Sequence, residues 1–113
     1  MINITSHVLN TSSGKPAEGV VVYLYGLNDA NSWLELSRAI TNKDGRIPGF
    51  ELTDNELQPG IYKLMFETGK YFDAQGIVSF YPFVDIVFEA AKHEHYHVPL
   101  LLNPFGYSTY RGS

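Results

Sequence analysis

The chain has 113 residues, 44% of them apolar, with one Trp, eight Tyr, seven Phe, no Cys, and eight Lys plus Arg against twelve Asp plus Glu for a formal charge of -4. This length fits one domain spanning 1–113 and leaves no room for a second core, while the apolar and aromatic content excludes a disordered chain. The acidic balance without a basic stripe argues against nucleic acid and anionic membrane partners, and the missing cysteines exclude a disulfide framework, thiolate metal sites and a Cys nucleophile.

Met1 to Asn10 carries no positively charged leader and no apolar run of signal length, and nowhere do eighteen apolar residues occur together. The ending Arg111-Gly112-Ser113 is unlike a Ser-Lys-Leu tag, so a cytoplasmic location is expected. The dominant hydrophobic period is two. Ile2, Ile4 and Val8 alternate with Asn3, Thr5 and His7, and Gly14-Lys15-Pro16 marks a turn before a β-branched and aromatic run over Val20–Leu27. Trp33–Thr41 predicts a further strand closed by the Asp44-Gly45 turn, Phe50–Thr53 a short one, and Ile61–Thr68 another after Gln58-Pro59-Gly60. Thr53-x-x-Glu56 resembles a capping box, but Pro59 would stop a helix within a turn.

The stretch around Lys70–Gln75 lacks alternation and predicts the one short helix. Val84–Ala91 reads as a strand with Val84, Ile86 and Phe88 on one face, and His95–Asn103 and Tyr107–Arg111 read as the last two. About eight short strands separated by Gly and Pro turns describe an all-β fold, an antiparallel sandwich or small barrel. Pro99 lacks a donor inside its strand, so it must fall at an edge, a bulge or an unpaired step.

Histidine offers base, acid and ligand chemistry near neutrality. His93, His95 and His97 share parity. Their spacing fits three imidazoles converging on a zinc ion, and equally a solvated, polar strand entry. Parity says more about His7 and His97. If Ile2, Ile4 and Val8 face the core, His7 faces out, and if Val98, Leu100 and Leu102 face the core, His97 faces out with Pro99 and Leu101. A single outward His is ordinarily a surface residue, but the apolar neighbours of His97 suggest a partner surface. Arg46 follows the Asp44-Gly45 turn and Arg111 lies close to Ser113; either guanidinium can hold a planar, carbonyl-rich ligand or stay solvated. No nucleophile elbow, P-loop or dinucleotide fingerprint is present. A chain this small rarely encloses a deep cleft, so a pocket is expected between subunits.

Two segments carry a family resemblance. His7-Val8-Leu9-Asn10-Thr11-Ser12-Ser13-Gly14-Lys15-Pro16-Ala17 resembles the opening signature of the transthyretin-like proteins, and His97-Val98-Pro99-Leu100-Leu101-Leu102-Asn103-Pro104 with Tyr107-Ser108-Thr109-Tyr110-Arg111-Gly112-Ser113 resembles their closing one. The Tyr110-Arg111-Gly112-Ser113 ending resembles the hydrolase branch, which acts on 5-hydroxyisourate, rather than the hormone carriers. The resemblance implies a two-sheet sandwich of about eight strands with one short helix, assembled as a homotetramer with sites at the subunit interface. It implies hydrolytic ring opening to 2-oxo-4-hydroxy-4-carboxy-5-ureidoimidazoline in urate breakdown, with no metal and no cofactor. By motif, His7, Arg46, His97 and Ser113 would be catalytic, and Tyr110, Arg111 and Gly112 would join them in binding substrate. Asn10 and Asn103 depart from the usual Asp and Ser, which puts in doubt any part a carboxylate at position 10 plays in orienting a histidine. A non-enzymatic carrier of a small aromatic ligand is the alternative.

Overall fold

A computed structural model describes residues 1–52 and 56–113. Among the described residues, period-two patterning becomes nine strands, β1 (Asn3–Asn10), β2 (Lys15–Pro16), β3 (Val21–Leu27), β4 (Trp33–Ile40), β5 (Arg46–Ile47), β6 (Gly60–Phe66), β7 (Val84–Ala90), β8 (His95–Asn103) and β9 (Gly106–Thr109). One helix, α1 (Thr68–Asp73), lies between β6 and β7. The strands form two sheets. One runs β2-β1-β8-β9 with β5 also on β1, and the other runs β4-β3-β6-β7. The sandwich and the single short helix are those the sequence predicts. Pairing is antiparallel except at the centre of the first sheet, where β1 and β8 run parallel.

Every second residue of the facing strands is buried between the sheets: Ile4 and Val8 on β1, Val98, Leu100 and Leu102 on β8, Val22 and Leu24 on β3, Leu64 and Phe66 on β6. Each such side chain contributes about 1.5–3 kcal/mol by leaving water. Val84, Ile86 and Phe88 turn inward from β7 as their parity requires. A six-residue helix is not stable alone; α1 is held by Phe72, which is sunk into the core, and by the Gly69 N–H donating to the Pro82 carbonyl at 3.0 Å. A Cβ on Gly69 would stand 2.6 Å from that oxygen, so glycine is what lets α1 approach.

Several boundaries differ from the sequence reading, among them Lys15–Pro16, expected in a turn but paired with β1 as β2. Phe50–Leu52 form no strand, and Thr53, like the capping-box start, lies outside the described residues. Strand β5 forms at Arg46–Ile47 instead, because the Asn42–Gly45 turn returns the chain to β1. The last strand stops at Thr109, and Gly112 then makes an isolated bridge to His97. Pro99 sits at the unpaired step between that bridge and the first β8/β9 pair, Leu100 with Thr109. Its carbonyl accepts from the Thr109 hydroxyl at 2.7 Å. No helix among the described residues is long and apolar enough to cross a membrane.

Candidate active site

The parity of β1 turns Thr5 and His7 to the outer face of the first sheet, half-buried, while Ile4 and Val8 fill the core. On β8 the same alternation turns His95 and His97 outward and buries Tyr96 and Val98. The parallel register sets Thr5 opposite His97 and His7 opposite Pro99. Pro99, expected on the exposed face with His97, is buried, shut in by this pairing and by the closing hairpin.

Arg46 reaches the same face from the other edge of β1, where it pairs with His7. Its approach is made by a tight turn. Asn42 Oδ1 accepts the backbone N–H of Asp44 at 2.9 Å and of Arg46 at 3.0 Å. Gly45 takes a left-handed conformation, φ 73°, and its carbonyl accepts the Val8 N–H at 2.7 Å. From the far side the closing segment returns to β8, where the Gly112 N–H donates to the His97 carbonyl at 2.8 Å. A Cβ at position 112 would lie 2.5 Å from His97 Cδ2; only glycine allows the backbone to lie against the imidazole.

Thr5, Arg46, Ile47, His95, His97 and Ser113 line a concavity of about 250 Å³, with His7 coupled to Arg46 and His97 beside it. Burial pulls the His7 pKa below 6.5, the Arg46 guanidinium pulls it further, and a hydrogen bond to the Asp44 backbone with the Asp44 charge opposes them. His97 is lowered by burial first, then by Arg46, His95 and His7. Both rings are therefore neutral near pH 7, beside a fixed cation. Neutral imidazoles can take or relay a proton, and the guanidinium can stabilise a developing oxyanion.

The other predicted positions divide. Ser113 and the Gly112 backbone join the group. Tyr110 and Arg111 instead line a neighbouring concavity of about 230 Å³, on which His97 also borders. The Arg111 guanidinium donates to Glu94 at 3.0 Å and stacks 4.6 Å from the Tyr96 ring centroid, so within one subunit it anchors the closing segment. Asn10 touches no histidine: it is buried, accepts from Ser12 and Ser13, and donates to Tyr71 Oη at 3.2 Å. Asn103 accepts the Phe105 N–H in the β8/β9 turn. His93 lies exposed before β8, and among the described residues no three His, Cys, Asp or Glu side chains cluster as a metal site. Sequence reasoning passed over Thr5, whose hydroxyl lies 2.7 Å from both His95 Nε2 and His97 Nδ1. Its parity with His7 was the available signal.

The model of the HIUase/Transthyretin family matches residues 4–112. The chain belongs to this family. Within it, the chain is 48% identical to the 5-hydroxyisourate hydrolase of Mus musculus, over 97% of this chain and 94% of that protein. Among solved structures it resembles Klebsiella pneumoniae 5-hydroxyisourate hydrolase with a TM-score of 0.84 at 38% identity, covering 98% of this chain and 99% of that one. It also resembles sea bream transthyretin in complex with thyroxine, with a TM-score of 0.87 at 27% identity, covering 96% and 93%. The fold is thus shared by both branches of the family, and residue identity separates them.

Proposed function

We propose that this protein is a 5-hydroxyisourate hydrolase, which opens the ring of 5-hydroxyisourate with water to give 2-oxo-4-hydroxy-4-carboxy-5-ureidoimidazoline. The observation that carries the reading at this site is the gathering of His7, His97 and Arg46 on one outward face, with both imidazoles held neutral. A polar, cation-bearing surface of this kind suits a carbonyl-rich heterocycle and suits an apolar hormone poorly.

His7 is the base in this mechanism. Its ring is held neutral by burial and by Arg46, so one ring nitrogen keeps a lone pair for the proton of water. His7 takes a proton from water as the water oxygen bonds to the ring carbonyl carbon. Arg46 stabilises the oxyanion, with His97 and Ser113 positioning water and substrate. The carbon–nitrogen bond then breaks and the departing nitrogen takes a proton. Tyr110, Arg111 and Gly112 complete the substrate-binding set, the first two once a second subunit closes over the face. Association as a homotetramer is part of this reading. It is supported by β7 and β9, which stand at the edges of their sheets among the described residues, and by the exposed Phe80, Phe83 and Phe105 near them.

The test follows the absorbance of freshly generated 5-hydroxyisourate. Decay many times faster than in buffer is expected; decay at the buffer rate, with tight thyroxine binding, would turn the reading to a carrier.

A further inference from the structure

The hydrolysis requires a proton for the departing ring nitrogen, and His7, once it has taken one from water, stands on the side of the attack. The other imidazole has a partner of a different kind. Thr5 Oγ1 lies 2.7 Å from His97 Nδ1 and 2.7 Å from His95 Nε2, bridging the two rings from the neighbouring strand. The parallel register of Asn3 with His95 and Thr5 with His97 sets the hydroxyl between them, and the two rings stand 6.2 Å apart, tilted by 51°. His97 is half-buried and His95 exposed, so the row runs from the concavity to solvent.

A carbonyl can only accept, but a hydroxyl has one proton to give and lone pairs to receive one. The row therefore has two complete hydrogen-bonded polarities. In the first, His95 Nε2–H donates to Thr5, the Thr5 hydroxyl donates to His97 Nδ1, and His97 holds its proton on Nε2, the nitrogen left for a ligand. In the second every bond is reversed: His97 Nδ1–H donates to Thr5, Thr5 donates to His95 Nε2, and His95 holds its proton on Nδ1.

We propose that His95, Thr5 and His97 form a proton wire that makes His97 the acid of the reaction, each proton given up at His97 Nε2 being matched by one that enters at His95 from solvent. This rests on the hydrolase reading. Passing from the first polarity to the second releases one proton from His97 Nε2 to the departing nitrogen as its bond to carbon breaks. The Thr5 proton moves to His97 Nδ1, the His95 Nε2 proton moves to Thr5, and His95 Nδ1 takes one proton from water. All three groups end neutral and no bond is left unpaired; the row returns to the first polarity when the proton that His7 took from water passes to His97 Nε2 and the wire runs in reverse, releasing one proton from His95 Nδ1 to solvent. The surroundings suit this direction. His97 is faced by Arg46 on β5, His7 on β1 and His95 on its own strand, with Ser113 on the closing segment. A cation at His97 is disfavoured among them, so a proton must pass through the ring rather than rest on it. Thr5 and His95 are positioning residues; neither has to touch the substrate.

The test compares steady-state hydrolysis of freshly generated 5-hydroxyisourate by wild type, Thr5→Val, Thr5→Ser, His95→Ala and Thr5→Val/His95→Ala. Thr5→Val keeps the shape and loses the hydroxyl. It is expected to lower kcat by about 10-fold or more, a part of the about 10²- to 10⁴-fold carried by general acid–base catalysis, with KM nearly unchanged. Thr5→Ser restores most of kcat. His95→Ala, at an exposed position, lowers kcat while Thr5 is present and adds nothing in the Thr5→Val background, the mark of a coupled pair. The solvent isotope effect in mixed H2O and D2O is curved for wild type and His-intact Thr5→Ser, and linear for Thr5→Val. Wild-type kcat in Thr5→Val or in His95→Ala, or strictly additive losses in the double variant, would overturn the wire while leaving the hydrolase intact. A wild type that fails to hydrolyse the substrate would remove the functional reading itself. Should Thr5→Val not fold, Thr5→Ser and His95→Ala still decide the matter.

Discussion

His7 and His97 lie in the field of one guanidinium, and Arg46 does two separable things there. Its charge lowers both imidazole pKa values, and in the proposed mechanism its planar fork offers paired donors to an oxyanion. A lowered pKa means that the neutral base persists below pH 6.5, so the acid limb of the rate profile is expected below 6.5. Arg46→Ala should move that limb up toward 6.5 and lower kcat by about 10²- to 10³-fold, as loss of an oxyanion donor does. Arg46→Lys should keep the limb in place while kcat still falls; a limb that follows neither pattern would mean that Arg46 does not act on the histidines. His7→Ala and His97→Ala should each cost about 10²- to 10⁴-fold in kcat/KM. Since both rings face away from the core, thermal melts of the two variants should stay near wild type.

At the scale of elements, two glycines hold the machinery in place by different means. Gly45 has φ 73°, and a Cβ there would stand 2.5 Å from the Val8 carbonyl oxygen, which already accepts the Ala17 N–H at 2.9 Å. Gly45→Ala should therefore cost about 1–3 kcal/mol of stability, a fall of very roughly 5–20 °C in Tm for a domain of this size, and displace Arg46 from His7. The nearest atoms to a Cβ at Gly112 all belong to the His97 side chain. Gly112→Ala should leave Tm nearly unchanged while reducing kcat, because the ring must turn away from Thr5. Differential scanning calorimetry beside the kinetic assay separates the two. The Asp44-Gly45-Arg46 turn was legible because Asp-Gly is a strong turn signal, and the outward faces of His7 and His97 because period two is a local property. Phe50–Leu52, the described part of a strand expected over Phe50–Thr53, form none, since a short apolar run forms a strand only if an edge is available to pair with it. β5 occupies the β1 edge instead.

For the whole molecule the question is what covers the outer faces. Phe80 and Phe105 are largely exposed, and the backbone N–H of Phe80 donates to the Pro104 carbonyl at 2.8 Å, joining the loop before β7 to the β8/β9 turn. Tyr81 and Tyr107 pack edge to face at 5.4 Å in the same region. Such a surface is costly to leave in water. Sedimentation velocity is expected to give a tetramer for wild type. Phe80→Asp with Phe105→Asp is expected to give a folded, smaller species with little hydrolysis, since within one subunit Tyr110 and Arg111 line a different concavity from Arg46. A monomeric variant with full activity would place the entire site in one chain.

Composition and periodicity by themselves determined a small, acidic, all-β chain with its seven longer strands near their true bounds and with two histidines directed away from the core. Those properties depend on side-chain alternation over a few residues, which the steric rule of the extended chain imposes wherever it occurs. Tertiary structure alone decided that β1 lies parallel to β8, that Pro99 is buried, and that Arg111 anchors to Glu94 and Tyr96. It also decided that Thr5 stands between His95 and His97. Each of these is a contact across a long stretch of sequence, set by which strands bury their apolar faces together, and a local pattern carries no record of the partner strand.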